Sequence, residues 1–77
     1  MTKRVFETTL RAYQIRQPFK PFLVELASGT ILEINHPEGL ISQRGAAVYI
    51  APNGEITIFD AEGVTRFSDR PARRVSA

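Results

Sequence analysis

The sequence predicts a mainly β fold with an N-terminal α-helix, a small five-stranded barrel in a single domain. Three observations predict it. An amphipathic segment at residues 2–16 comes first, five short alternating segments follow, and glycine-bearing turns separate them. The chain has 77 residues, which is room for one domain.

The helix is read from Val5, Phe6, Leu10, Tyr13 and Ile15, which recur near the three- and four-residue spacing of one helical face. Lys3, Arg4, Glu7, Thr8 and Arg11 fall on the other side. Thr2 is placed to cap the first turn, because its hydroxyl can accept a backbone N–H that has no helical partner. Pro18 ends the helix: it has no N–H, and it disfavours helical backbone at Gln17. The run Pro18-Phe19-Lys20-Pro21-Phe22 then reads as a stiff extended connector whose two rings seal one end of the core.

Strands are expected at residues 22–27, 30–35, 46–51, 55–60 and 64–67. Phe22, Val24 and Leu26, then Leu32 and Ile34, alternate as one apolar face. Val48, Ile50, Ile56 and Ile58 continue it. Leu23, Ile31, Tyr49 and Phe59 fall on the opposite face. Ser28-Gly29 and Asn53-Gly54 supply hairpin turns, and Asp60-Ala61-Glu62-Gly63 a further bend. Residues 39–45 read as a loop. The domain is expected to cover 1–68, with 69–77 a flexible Arg-rich tail.

Composition limits the chemistry. Hydrophobic residues make up 43% and charged residues 23%, as in ordinary globular domains. There is no cysteine, which excludes disulfides and thiolate metal sites. No run approaches the roughly 20 apolar residues of a membrane span. The basic start Met1-Thr2-Lys3-Arg4 lacks the apolar stretch of a signal peptide, so a cytoplasmic protein with no membrane partner is expected.

A chain this short buries a thin core, and without disulfides or metal, self-association is the remedy left. Apolar residues on both strand faces point the same way. One face closes the core, and the other needs the helix, a neighbouring copy, or both. The expected oligomer interface comprises Tyr49, Ile56, Ile58, Phe59, Val64 and Phe67.

The net charge is +2, with the positive residues towards the two ends. Lys3, Arg4, Arg11 and Arg16 lie on the helix, and Arg66, Arg70, Arg73 and Arg74 towards the C-terminal end. These eight, with His36, are the candidate nucleic-acid contacts, since clustered cations meet phosphate. His36 is the only histidine. In His36-Pro37-Glu38 it stands beside a carboxylate, as an acid–base pair does. No serine or cysteine nucleophile stands in a matching context, and one histidine falls short of a metal site. The triplet reads instead as a strand terminator with Pro37 ending ladder pairing, or as a stacking platform at His36. No catalytic residue, metal or cofactor is expected.

The helix-then-five-strand order, Val24-x-Leu26-x-x-Gly29 at the first turn and the short bend before Val64 resemble the Sm-like/Hfq-like small-barrel family. The resemblance covers roughly residues 6–68. It implies an SH3-like/Sm-like barrel, a ring built by edge pairing of 55–60 with 64–67 of the next copy, and RNA as ligand. The family places a glycine where this chain has Ile34. It places Arg-Gly, or Tyr-Lys-His, where this chain has Asp60-Ala61 and Glu62. Carboxylates repel a phosphate backbone, so the implied RNA contact moves to Lys3, Arg4, Arg11 and Arg16 or to the C-terminal arginines. The series Pro-Phe-x-Pro-Phe, turn glycine, His-Pro-Glu also resembles a group of small bacterial proteins of unassigned function.

Two functions stay open on this reading. One is a self-associating Sm-like module that binds RNA weakly through a basic surface. The other is a protein-interaction or assembly module that binds no nucleic acid.

Overall fold

The computed structural model describes residues 1–70. Helix α1 spans Lys3–Gln14, and the strands are β1 Phe22–Leu26, β2 Ile31–Ile34, β3 Leu40–Gln43, β4 Ala46–Ile50, β5 Ile56–Asp60 and β6 Val64–Asp69. They form two antiparallel three-stranded sheets, ordered β2-β1-β6 and β3-β4-β5. The mainly β fold with a leading helix is as expected. The strands make two open sheets where a five-stranded barrel was expected.

The additional strand is β3, which occupies most of the expected 39–45 loop. Leu40 is buried and Ile41 exposed, the alternation of a half-covered strand. Its pairing with β4, Leu40 opposite Tyr49 and Ile41 opposite Val48, satisfies backbone groups that a loop would leave to water.

The chain changes sheet twice, each time through one 3-10 turn: Pro37–Gly39 between β2 and β3, and Ala61–Gly63 between β5 and β6. The corners have like sequences, His36-Pro37-Glu38-Gly39 and Asp60-Ala61-Glu62-Gly63. Each sheet is thus a hairpin completed by the strand that leaves the other hairpin's corner. β3 adds to β4–β5, and β6 adds to β1–β2. The hairpins close at glycines of positive φ. At Gly54 this is +89°, the conformation that the Asn53-Gly54 pair supplies without a Cβ clash.

Thr2 caps α1, its Oγ1 accepting the Val5 N–H at 3.1 Å. The helix stops at Gln14, two residues short of the expected end, and the Gln17–Pro18 peptide is cis. Phe6 and Leu10 are fully buried and Tyr13 packs beside them, whereas Val5 and Ile15 are exposed. Helical geometry accounts for the difference. At roughly 100° per residue, Ile15 lies about 180° from Phe6 and Val5 about 100°, so neither shares the core face.

The helix lies across the core and ties both sheets. On one flank Gln14 Nε2 donates to the Pro37 carbonyl at 3.1 Å and the Leu40 carbonyl at 2.9 Å, and Glu7 accepts the Gly45 N–H. On the other, Arg16 pairs with Asp69 of β6 at 2.6 Å. Between them, Phe6 meets Phe59 and Phe67 at centroid distances of 6.0 and 5.9 Å, and Tyr13 meets Phe22 at 4.9 Å. Phe19 packs edge-on against Phe22, so the two connector rings seal the core as expected.

The strand phase in β4 and β5 is the reverse of the expected one. Tyr49 and Phe59 are 2% and 5% exposed, while Ile58 and Ile56 are 73% and 61% exposed. Aromatic rings bury about 150–250 Å² each, more than isoleucine offers, and here Phe6 of the helix receives one of them. Tyr49 also finds partners for its hydroxyl in Asn35. Among the described residues no helix is long and apolar enough to cross a membrane.

Candidate interaction surface

The reversed phase places an apolar grid on the outer face of the β3-β4-β5 sheet. Ile41, Val48 and Ile58 stand side by side across the three strands, and Ile50 pairs with Ile56 in the next row. All four isoleucines are exposed and Val48 is half-buried. The third row, Gln43, Ala46 and Asp60, brings the only ionisable group of these three rows. Polar side chains would ordinarily occupy such positions, because a solvated sheet face gains nothing from exposed isoleucine.

The outer face of the other sheet shows that ordinary pattern. Glu25 pairs with Arg66 across β1 and β6 at 3.0 Å, and Glu33 with Arg70 at 2.8 Å. Such exposed pairs contribute little to stability, about 0–1 kcal/mol each, and they intersperse charge with the exposed Ile31 and half-buried Leu23 of this face.

The expected interface residues therefore separate. Ile56 and Ile58 lie on the apolar face. Tyr49, Phe59 and Val64 are buried in the chain's own core, and Phe67 is half-buried against Phe6, Tyr13 and Phe22. Tyr49, Phe59 and Val64 are corrected to core positions, since a side chain packed inside one copy has no surface to give another, whereas Phe67 flanks the core and keeps part of its surface. Ile41, Val48 and Ile50 were missed as surface residues. The signal for Ile41 was the alternation Leu40-Ile41-Ser42-Gln43 between two turns. For Val48 and Ile50, both faces of the strand were apolar and alternation could not rank them.

The candidate nucleic-acid contacts also separate. Arg66 and Arg70 are in the ion pairs just described. Arg16 donates to Asp69 and to the Lys20 carbonyl, its guanidinium lies 4.7 Å from the centre of the Tyr13 ring, and its Nε has no acceptor. Lys3, Arg4 and Arg11 are exposed and form no carboxylate pair among the described residues. Arg44, not singled out from the sequence, follows β3 at a φ of 55° beside Gly45, against which the stem of Lys3 packs. Arg73 and Arg74 lie outside the described residues.

His36 is held at the first corner. Its Nδ1 is 3.1 Å from Oε1 of Glu38, its Nε2 is 3.0 Å from the Ile50 carbonyl, and its ring meets Tyr49 edge-on. Both neighbours of the ring nitrogens are acceptors, so only the doubly protonated ring donates to both. The Glu38 carboxyl is held below its usual range, first by a backbone hydrogen bond and then by His36. The arrangement fastens the corner, with the imidazole held between Glu38, the Ile50 carbonyl and the Tyr49 ring.

Among the described residues no group of three or more His, Asp or Glu side chains could hold a metal ion. A shallow depression of about 330 Å³ lies between Leu26, Ala27 and Ser28 and the edge of β5 at Ile58, Phe59 and Asp60. It is open-sided and mostly apolar, without the several convergent polar groups that fix a small ligand. Comparison with protein-family models, with curated proteins and with solved structures gives no match in any of the three.

Proposed function

We propose that this chain is a non-catalytic interaction module that associates with itself and docks protein surfaces. The observation that carries this reading is the apolar outer face of β3-β4-β5, whose four exposed isoleucines and Val48 form two adjoining rows without a charge. Patches of this kind on small soluble domains mark contact sites. The ion-paired state of Arg16, Arg66 and Arg70 favours this reading over RNA binding, because a cation already facing a carboxylate releases fewer counterions on meeting phosphate.

The test is the native mass of protein purified without nuclease, by size exclusion with light scattering and absorbance at 260 and 280 nm. An oligomer free of nucleic acid is the expected result. A monomer at all concentrations would remove the proposal.

A second reading rests on Lys3, Arg4, Arg11 and Arg44, the exposed cations around the helix that lack carboxylate partners among the described residues. It is weak, sequence-tolerant RNA binding by the module. Its signature is excess absorbance at 260 nm lost at high salt, with Arg4→Ala and Arg11→Ala lowering affinity uniformly across sequences.

A further inference from the structure

We infer that the isoleucine face is covered by a second copy of the same chain, packed sheet on sheet about a two-fold axis that runs along β4; this rests on the self-association proposed above and names its site and geometry. Three features of the face select a second copy over another partner.

The first is charge. The Ile41-Val48-Ile58 and Ile50-Ile56 rows contain no ionisable group, so an acidic or basic partner has nothing to read there. A like apolar face needs no charge to match.

The second is self-complementarity. A two-fold axis along the central strand exchanges the flanking strands. β3 of one copy then meets β5 of the other, and β4 meets β4. Ile41 is placed opposite Ile58, Val48 opposite Val48, and Gln43 opposite Asp60. The one polar row therefore pairs an amide donor with a carboxylate acceptor and does not oppose two carboxylates. Asp60 has an oxygen to spare, because only its Oδ1 is engaged, by the Gly63 N–H at 2.9 Å.

The third is shape and size. Three strands at roughly 4.8 Å spacing and five residues at roughly 3.3 Å rise make a face about 14 by 17 Å, dense in the branched side chains that interdigitate between stacked sheets about 10 Å apart. Specific interfaces cover about a tenth of a small protein's surface. A tenth of the 5615 Å² accessible surface is about 560 Å², and the flat footprint of this face is about 240 Å², so a copy seated on it makes a contact at or below the small end of the range. The dimer is accordingly a weak and reversible one.

The test uses light scattering on the full chain and three charged variants: Ile41→Lys, Ile58→Glu, and Val48→Glu at the centre. Both isoleucines are highly exposed, and a thermal melt followed by circular dichroism shows that each variant keeps its fold. The wild type is expected at the mass of two chains and each single variant at the mass of one. Mixing Ile41→Lys with Ile58→Glu is expected to restore a two-chain species, because the axis places those positions against each other. The chain has no cysteine, so Val48→Cys offers a single thiol, and a bis-maleimide long enough to span the roughly 10 Å between stacked sheets should link two copies in the native protein and not in urea.

An oligomer that survives Ile58→Glu and Val48→Glu unchanged would overturn this inference and leave self-association standing through another surface, such as the β5 and β6 edges. Single variants that turn monomeric but do not pair on mixing would overturn the axis. A wild type that stays monomeric to millimolar concentration would remove both the inference and the reading beneath it.

Discussion

Tyr49 donates its phenolic hydrogen to Oδ1 of Asn35 at 2.8 Å, and the same phenolic oxygen accepts the Asn35 N–H at 3.3 Å. This two-way bond joins the core of one sheet to the point where β2 leaves the other. Tyr49→Phe keeps the ring and removes both bonds. It is expected to lower stability by about 1 kcal/mol, which in a domain of this size lowers Tm by roughly 4–8 °C. An unchanged Tm would mean that water serves Asn35 as well as the phenol does.

The two corners differ in how tightly they are packed. A Cβ on Gly39 would run into the Ile50 carbonyl and the His36 ring, which are backbone and a pinned side chain. On Gly63 it would meet only Asp60 Oδ1, at 3.3 Å. Gly39→Ala is therefore expected to cost about 2 kcal/mol or more and Gly63→Ala clearly less, measured by urea unfolding. Equal midpoints would contradict the close packing at the first corner.

Strand phase can be tested by truncation. Phe59→Ala removes a ring packed on Phe6 and is expected to cost about 3–5 kcal/mol. Ile58→Ala, one residue away on the exposed face, should change monomer stability by no more than about 0.5 kcal/mol. Under the phase expected from the sequence the ranking would be inverted, so the pair of melts decides between them.

The carboxyl of Glu38 titrates below its ordinary value of 4.5 in the folded chain, held there by a backbone hydrogen bond and by His36. A lowered folded pKa means that the ionised form stabilises the fold. Its contribution is fully present above 4.5 and is lost as pH falls through the lower folded value. Melting profiles across that acid window should show a smaller fall for Glu38→Gln than for the wild type. Parallel profiles would show that Glu38 takes no part in the linkage.

The sequence by itself determined the leading helix with its Thr2 cap, both glycine-closed hairpins, the seal formed by Phe19 and Phe22, and a β-rich fold. Each of these is written locally, in a cap, a turn or a periodicity that a few neighbouring residues specify. It also placed apolar residues on both strand faces, one to close the core and the other in need of the helix, a neighbouring copy, or both.

Only the tertiary structure decided which face that was. In β4 and β5 both alternating sets are apolar, so a one-residue choice of phase costs nothing locally. It is settled by partners distant in sequence: Phe6 for Phe59, and Asn35 for Tyr49. The same holds for the arginines. Their number and position can be counted in the chain, but the pairing of Arg66 with Glu25 and of Arg70 with Glu33 exists only because β6 returns to β1. The third strand went unread for a related reason. Leu40–Gln43 is short, and what makes it a strand is the ladder that β4 supplies across the corner at Gly39.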